Sequence, residues 1–424
     1  MEPLLKKIKL FIPHSLFTAL QPFYHYLLSF VGALRYGFPS RKIYVIGITG
    51  TKGKTSTTEL TTAILEAGGH KVALTNTRQF RVAGKSEKNL TKRSMPGRMF
   101  LHQFLRKAVA AGCEYAVIEM TSEGAKLFRH KFLDLDALIF TNLSPEHIES
   151  HGSYENYRDA KLAFAHALES GNSSEHTIVA NRDDAEGAKF LSVNVGEKLS
   201  FGIDDAKPFT SDTEGGTFTF HGTSIRIHLP GEFNILNALA AATFAKSRGV
   251  PVETIKKALE EFSLVRGRME RIAEGQNFSV IVDYAHTADS LDRAYSVYDG
   301  VQKICILGGT GGGRDTWKRK IMGEVADKHC AHIILTTEDP YDEPVEKISA
   351  GVAEGIKNNP YEYILDRREA MNKAFKLAKK DWVVFITGKG DGPYIMGPDG
   401  ARTPWDDATV AREELHTLGF KKGE

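Results

Sequence analysis

The stretch Tyr44-Val-Ile-Gly-Ile-Thr-Gly-Thr-Lys-Gly-Lys-Thr-Ser56 decides how the rest of this chain is read. An apolar run suited to a strand ends in a Gly- and Thr-rich turn. Gly53-Lys54-Thr55 then leads into a helix predicted from Ser56 to Ala67. Strand, loop and helix N-terminus in that order make a phosphate cradle, because loop N–H groups and the positive end of the helix dipole both favour a polyphosphate. Lys54 adds a point charge suited to β- and γ-phosphates, and Thr55 a hydroxyl suited to Mg²⁺. The stretch departs from the usual pattern at Ile48, where a glycine is the norm, with Gly47 beside it. An ordinary strand-to-helix turn is the plain alternative; the order of the elements favours ATP binding.

Composition sets the outer bounds. A chain of 424 residues holds two or three domains at about 100–200 residues each. Hydrophobic content of 42% and charged content of 25% are those of a soluble globular protein, and a net charge of +2 gives no argument for a nucleic-acid partner. Cys113, Cys305 and Cys330 are scattered without metal spacing, which argues against a disulfide scaffold and reads as three buried structural thiols in a reducing compartment, the cytoplasm. The segment His14 to Leu34 carries no Lys, Arg, Asp or Glu. Phe11, Leu16, Leu20, Phe23, Leu27, Phe30 and Leu34 recur at helical spacing, with Pro22 as an expected break. Three covers for this stripe stay open: the phosphate-loop domain, a second copy of the chain, or lipid, with Lys6, Lys7, Lys9, Arg35, Arg41 and Lys42 flanking it. The lipid reading makes residues 11–38 a peripheral membrane contact at the inner face of the membrane.

Further along, Lys71–Thr75, Tyr115–Met120, Ala137–Asn142 and Thr177–Asn181 read as buried strands, with helices over Gly97–Ala111 and Tyr154–Leu168 between them. Residues 76–98 read as a basic loop, facing either an anionic substrate or solvent. Residues 195–230 read as short strands and turns, followed by a helical stretch opened by Leu229–Asn234 and a helix over Val252–Phe262. A second α/β unit begins near Arg268, with strands at Val280–Asp283, Lys303–Leu307, His332–Thr336 and Trp382–Thr387. The fold class is α/β: a mostly parallel phosphate-loop sheet followed by a Rossmann-like domain. Ligands in such sheets bind at C-terminal strand ends, where Glu119, Asn142 and the loop all fall.

The later motifs make a resemblance specific. Asn142 to Lys161 contains Pro145-Glu-His147 and Tyr157-Arg-Asp-Ala-Lys161; Gly231-Glu-Phe-Asn-Ile-Leu-Asn237, Gly267-Arg-Met-Glu270, Asp283-Tyr-Ala-His-Thr287, Gly313-Arg-Asp315 with Lys318-Arg319, and Gly388-Lys-Gly390 follow in order. With the loop Gly50–Thr55, this series resembles the Mur ligase superfamily, and within it the MurE-type ligases that add an amino acid to a UDP-N-acetylmuramoyl-peptide. The resemblance implies a central ATP-binding domain over residues 41–267 and a C-terminal domain over 268–424. Residues 1–40 are expected to form a short helical segment in place of a UDP-binding domain, being too few to bury a core of their own.

The resemblance also implies roles. Gly50, Thr51, Lys52, Gly53, Lys54, Thr55 and Ser56 cradle ATP. Asn234, Asn237, Arg268, Asp283 and His286 complete the nucleotide site, although by themselves the two asparagines read equally as helix caps and His286 as a core histidine. Two Mg²⁺ are held by Thr55, Glu119, His147 and a carbamylated Lys161; taken alone, Lys161 reads as a surface lysine. Lys54, Lys161, His147 and Arg268 are the catalytic set. Ser94, Arg129, Arg314, Asp339, Tyr341, Gly388 and Asp391 stand at positions that bind the peptide substrate and the amino acid.

Two departures bear on the incoming amine. Glu338-Asp-Pro-Tyr341 stands where diaminopimelate-adding members carry Asp-Asn-Pro-Arg, and Gly388-Lys-Gly-Asp-Gly392 where they carry Gly-Lys-Gly-His-Glu. Tyr341 cannot pair with a distal carboxylate as an arginine does, so L-lysine is expected ahead of meso-diaminopimelate, with Asp342 and Glu343 as attractors for its ammonium. The implied reaction is ATP-dependent amide formation through an acyl phosphate. The runner-up is the same chemistry on a poly-γ-glutamate or cyanophycin-like peptide, and a different class is a nucleotide-binding subunit without turnover.

Overall fold

Strand β1 (Tyr44–Thr49) lies at the centre of an eight-stranded sheet because all but its first residue are fully buried. The computed structural model describes residues 14–421 except 98, 147, 171, 172 and 314. His147 and Arg314 therefore lie outside the described residues, as do Lys6, Lys7, Lys9 and Phe11. Within the described residues the chain divides into two compact units. One comprises Met1–Glu146, His151–Asp205 and Leu236–Ala258, and the other His147–Ser150, Ala206–Ile235 and Leu259–Glu424.

In the first unit the sheet order is β4-β3-β2-β5-β1-β6-β7-β8. Its members are β2 (Val72–Thr75), β3 (Gln79–Val82), β4 (Lys85–Lys88), β5 (Tyr115–Glu119), β6 (Ala137–Phe140), β7 (Thr177–Asn181) and β8 (Glu197–Phe201). All pairings are parallel except β2 with β3 and β3 with β4. The antiparallel edge corrects the reading of residues 76–98 as a loop. A two-residue turn, Ala83-Gly84, with φ of 47° and 82°, closes a hairpin, the geometry that matches strand twist. The sequence hides it because β4 is fully exposed and charged.

Helix α1 (His14–Tyr36) runs as one element through Pro22, where a break was expected. Its C-terminal half is pinned by Tyr26 and Phe30 against Phe132, at ring separations of 5.0 and 5.2 Å. Its other face is bare: Leu20, Phe23, Leu27 and Leu34 are exposed, so the described residues of the first unit leave these members of the stripe uncovered. Helix α2 (Lys54–Ala67) packs on β1, β2 and β5; α3 (Phe100–Ala110) and α4 (Tyr154–Leu168) supply Leu105, Phe104, Phe164 and Leu168 to the first unit's core.

In the second unit a small antiparallel sheet joins β9 (Thr210–Asp212), β10 (Gly215–Phe220) and β11 (Thr223–Ile227). A six-stranded sheet follows, in the order β12-β13-β17-β14-β15-β16. Its strands are β12 (Glu270–Ile272), β13 (Ser279–Asp283), β14 (Lys303–Leu307), β15 (His332–Leu335), β16 (Tyr361–Tyr363) and β17 (Val383–Thr387). A two-stranded piece, β18 (Tyr394–Met396) and β19 (Arg402–Pro404), ends it. Alternate residues fill two cores. Ile281, Cys305, Leu307 and Phe385 face one side, and Val280, Ile304, Val384 and Ile386 the other, the period-2 pattern of a sheet covered on both faces. Helices Ala288–Ser296 and Lys318–His329 cover the first side, and Arg367–Leu377 and Asp407–Thr417 the second.

The cysteines correct the sequence reading. Cys305 on β14 and Cys330, just past the helix Lys318–His329, form a disulfide with a Cα–Cα distance of 6.0 Å; Cys113 stays a buried free thiol. The spacing of 25 in sequence carries no sign of this, because strand and helix meet only on packing.

Candidate active site

The phosphate loop is held from behind by the end of β6. Asn142 accepts the Thr51 N–H through its backbone carbonyl (2.8 Å) and the Lys52 N–H through its side chain (2.9 Å), while Thr141 Oγ1 donates to the Lys52 carbonyl (2.7 Å). Gly53 sits at the N-cap of α2 with φ 81°, and a Cβ there would lie 2.2 Å from Asn237 Oδ1. Left-handed backbone and lack of space both require glycine. Asn237 is thus packed against the loop and accepts a hydrogen bond from Thr57 (3.3 Å), so the capping alternative does not hold for it. Thr55 and Ser56 are buried in the first turn of α2, and Lys52 pairs with the buried Glu146 at 3.1 Å.

Two lysines converge on one carbonyl. Lys54 Nζ donates to Gly50 O (3.0 Å) and Thr51 O (2.8 Å), and Lys161 Nζ donates to the same Gly50 O at 2.7 Å. Lys161, on α4, is only 2% exposed and lies over the Tyr157 ring at 4.7 Å, so it is no surface lysine. Burial, and then the charge of Lys54, hold its amine well below the usual lysine range. Tyr157 OH meets Thr51 Oγ1 at 2.9 Å.

Glu119 ends β5 beside the same helix terminus. Thr55 Oγ1 donates to its Oε2 (2.9 Å); Thr77 Oγ1 (2.8 Å) and Ser94 Oγ (2.7 Å) donate to its Oε1, and the Thr77 N–H to Oε2 (3.2 Å). Thr77 escaped the sequence reading, since nothing local distinguishes a threonine after a strand. Nearby, Arg129 Nη1 bonds the Met95 carbonyl, and burial, followed by Arg93, lowers the guanidinium to about 10.

The second unit carries the remaining residues. Arg268 donates to Gly267 O (2.9 Å), lies over the Tyr284 ring at 4.4 Å and stands 3.8 Å from Asp391. Asp283 accepts the N–H groups of Met269 and Ala285 (both 2.7 Å), and burial raises its pKa. His286 Nδ1 contacts Tyr284 O at 2.8 Å. Asn234 donates to Pro230 O (2.8 Å) in the first turn of the helix Glu232–Ser247, the reverse of a cap, whose side-chain oxygen accepts a helix N–H. Lys389, to which the sequence reading gave no role of its own, joins Asp339 at 2.7 Å and Tyr394 O at 2.9 Å. Tyr341 holds φ 51°, and Gly388 has φ 104° with Glu338 beside it. Glu343 does not lie open for an incoming ammonium. Arg319 grips it at 2.9 and 2.8 Å and holds its carboxyl down to about 2.

Residues 48–245 match the Mur ligase middle domain, and residues 267–390 the Mur ligase glutamate ligase domain. A UDP-N-acetylmuramoyl-L-alanyl-D-glutamate–2,6-diaminopimelate ligase of Bacillus cereus is 35% identical over 398 residues, covering 90% of this chain and 79% of that protein. A UDP-N-acetylmuramyl-tripeptide synthetase of Roseiflexus sp. is 36% identical over 419 residues, covering 92% and 82%. Folylpolyglutamate synthase of Mycobacterium tuberculosis, complexed with ADP, shares the fold with a TM-score of 0.70 at 16% identity, over 94% of this chain and 95% of that one. With two domain matches in order and relatives this similar over nine-tenths of its length, the chain belongs to the Mur ligase family, as an ATP-dependent, ADP-forming carboxylate–amine ligase.

Proposed function

We propose that this ligase adds one amino acid to a UDP-N-acetylmuramoyl-peptide-like acceptor in the cytoplasm. The observation that carries the reading is the meeting of Lys54 and Lys161 at Gly50 O, beside the Thr55–Glu119 pair and the N-terminus of α2. The names of the two relatives supply the acceptor class. The acceptor carboxylate attacks the γ-phosphorus of ATP, an O–P bond forms as the bond to the β-phosphate oxygen breaks, and ADP leaves. The amine nitrogen then adds to the acyl carbon, and the tetrahedral adduct expels inorganic phosphate and loses a proton to give the amide. Such transfer depends on positioning and on neutralising charge.

Lys54, the loop N–H groups from Gly50 to Ser56, and Arg268 would hold the phosphates. Asn237 and Asn234, with Asp283 and His286, would hold the nucleoside. The donors near the loop suit Mg²⁺: a buried carboxylate with adjacent hydroxyls offers hard oxygens, and Mg²⁺ takes few protein ligands besides water and phosphate. Thr55, Glu119 and His147 would bind it, two ions being the expected number, and when bound it neutralises phosphate charge. Lys161 is the candidate for carbamylation, in which CO₂ adds to a neutral amine and one proton is released. Its burial and depressed pKa favour that amine. Ser94 and Arg129 would face the acceptor, and Arg314, Asp339, Tyr341, Gly388 and Asp391 the incoming amino acid. Tyr341 offers no guanidinium for a distal carboxylate. Glu338, 4% exposed, bonds Thr310 through Oε1 at 2.8 Å and leaves Oε2 without a hydrogen bond among the described residues. A cationic side chain such as that of L-lysine suits this better than diaminopimelate.

Peripheral membrane contact through residues 11–38 is part of the proposal. No described helix is long and apolar enough to cross a membrane. Between Glu2 and Glu59 the chain has no acidic residue, and the bare stripe of α1 is followed by Arg35, Arg41 and Lys42.

Phosphate release from ATP with UDP-N-acetylmuramoyl-dipeptide, run against lysine, diaminopimelate and other amino acids, tests the reading, with a poly-γ-glutamate acceptor in parallel. Turnover with the nucleotide-sugar acceptor and lysine is expected, and its loss in Lys54→Ala with an unchanged melting temperature. Turnover only with the second acceptor, or wild-type rates in Lys54→Ala, would overturn it.

A further inference from the structure

The inner face of α1 does more than rest on the first unit. His25, Leu28 and Ser29 line a small cavity whose other walls include Gly97, His102 and Arg129. Among the described residues no Asp or Glu lines it. Ser29 Oγ is turned to the Phe128 carbonyl (2.9 Å) and keeps lone pairs only. His102 is 2% exposed, yet neither ring nitrogen has a hydrogen-bond partner among the described residues, and Arg129 Nε has none either. Among the described residues Arg129 forms no ion pair, Glu123 acting on it only at longer range, and its Nη1 is turned to the Met95 carbonyl. The imidazole of His102 also packs close against Gly32 of α1. A half-buried guanidinium with one N–H unpaired, and a buried imidazole with neither nitrogen bonded, each cost free energy, and an oxyanion would supply a partner to both.

We propose that α1 closes an oxyanion pocket over Arg129, in which His25 and His102 help to hold a carboxylate or phosphate group of the acceptor substrate. The inference rests on the reading of the acceptor given above, but its ligand chemistry stands on the cavity. Burial lowers the basicity of both imidazoles, His102 to about 4, so His102 enters the pocket neutral, with one N–H to donate. Specificity follows: an acceptor without an anionic group at that distance from its reacting carboxyl leaves these donors unpaired.

The full-length protein tests this in two ways. In steady-state phosphate release, His25→Ala and His102→Phe should each raise KM for the acceptor about tenfold, the scale of one lost hydrogen bond to a charged group, with KM for ATP unchanged. His102→Gln, which keeps a donor, should restore part of the loss. Separately, glutarate or inorganic phosphate is titrated into the nucleotide-free protein while the imidazole ¹⁵N resonances are followed. Shifts of His25 and His102 with glutarate assign a carboxylate, and shifts with phosphate alone assign a phosphate. Imidazole shifts in a protein that fails to turn over the nucleotide-sugar acceptor would uphold the pocket and sink the acceptor reading. Silent resonances with both anions, or an acceptor KM unmoved in both variants, would overturn the proposal.

Discussion

Lys161 shows how much a single side chain depends on its surroundings. A lysine of ordinary basicity would carry a proton at neutral pH, but this one is enclosed and faces Lys54. Carbamylation, as proposed, would convert that unfavourable cation into an anion beside the positive loop. Under ¹³CO₂, a carbamate ¹³C resonance should appear in the wild type and be absent from Lys161→Ala, whose activity short carboxylates should partly restore. An unlabelled wild type would rule the modification out. Glu343 makes the opposite point, a carboxylate that looked available and is committed to Arg319. Because its folded pKa is depressed to about 2, the pair's contribution is fully present above the ordinary 4.5 and is lost as pH falls towards 2. Urea unfolding at a series of pH values should show Arg319→Ala less stable than wild type near pH 6, with the gap closing below pH 3. A gap independent of pH would show that the pair contributes nothing through this charge.

At the scale of the element, α1 has two unlike faces. His25, Ser29 and Gly32 turn inward, and eight of the fourteen exposed large apolar side chains among the described residues lie on this helix. Burying one such side chain is worth about 1.5–3 kcal/mol, so a few of them, with the basic flank, suffice for reversible membrane binding. The wild type should float with vesicles rich in anionic lipid and much less with neutral ones. Phe23→Glu with Leu27→Glu should abolish flotation while leaving the melting temperature within a few degrees, since both side chains point outward. Flotation unaffected by the double change would remove lipid as the cover for the stripe. The helix itself was legible from its spacing. Its bare outer face was not, because spacing shows that a stripe exists but not what lies against it. The β3–β4 hairpin was illegible for another reason: its outer strand buries nothing, so no alternation marks it.

For the whole molecule, the Cys305–Cys330 disulfide has a measurable consequence for stability. Closing a loop of 25 residues stabilises by about 3 kcal/mol through the unfolded chain. Reduction, or Cys305→Ala with Cys330→Ala, should lower the melting temperature of the second unit by several degrees. A melting curve indifferent to reductant would mean that the bond is not formed in solution. The sequence by itself determined the architecture of both units. Buried strands alternating with helices and the glycines of the phosphate loop are local patterns, repeated every two or every three to four residues along the chain. It also determined the family and the positions of Lys54, Glu119, Lys161 and Arg268, because ordered motifs survive in one dimension. Only the tertiary structure decided which groups meet. Lys161 bonds Gly50 across 111 residues, Ser94 and Thr77 orient Glu119, Cys305 reaches Cys330, Arg319 takes Glu343, and α1 brings His25 to the cavity of His102 and Arg129. Such pairings are set by how helices and strands pack against one another, a property that no local spacing contains.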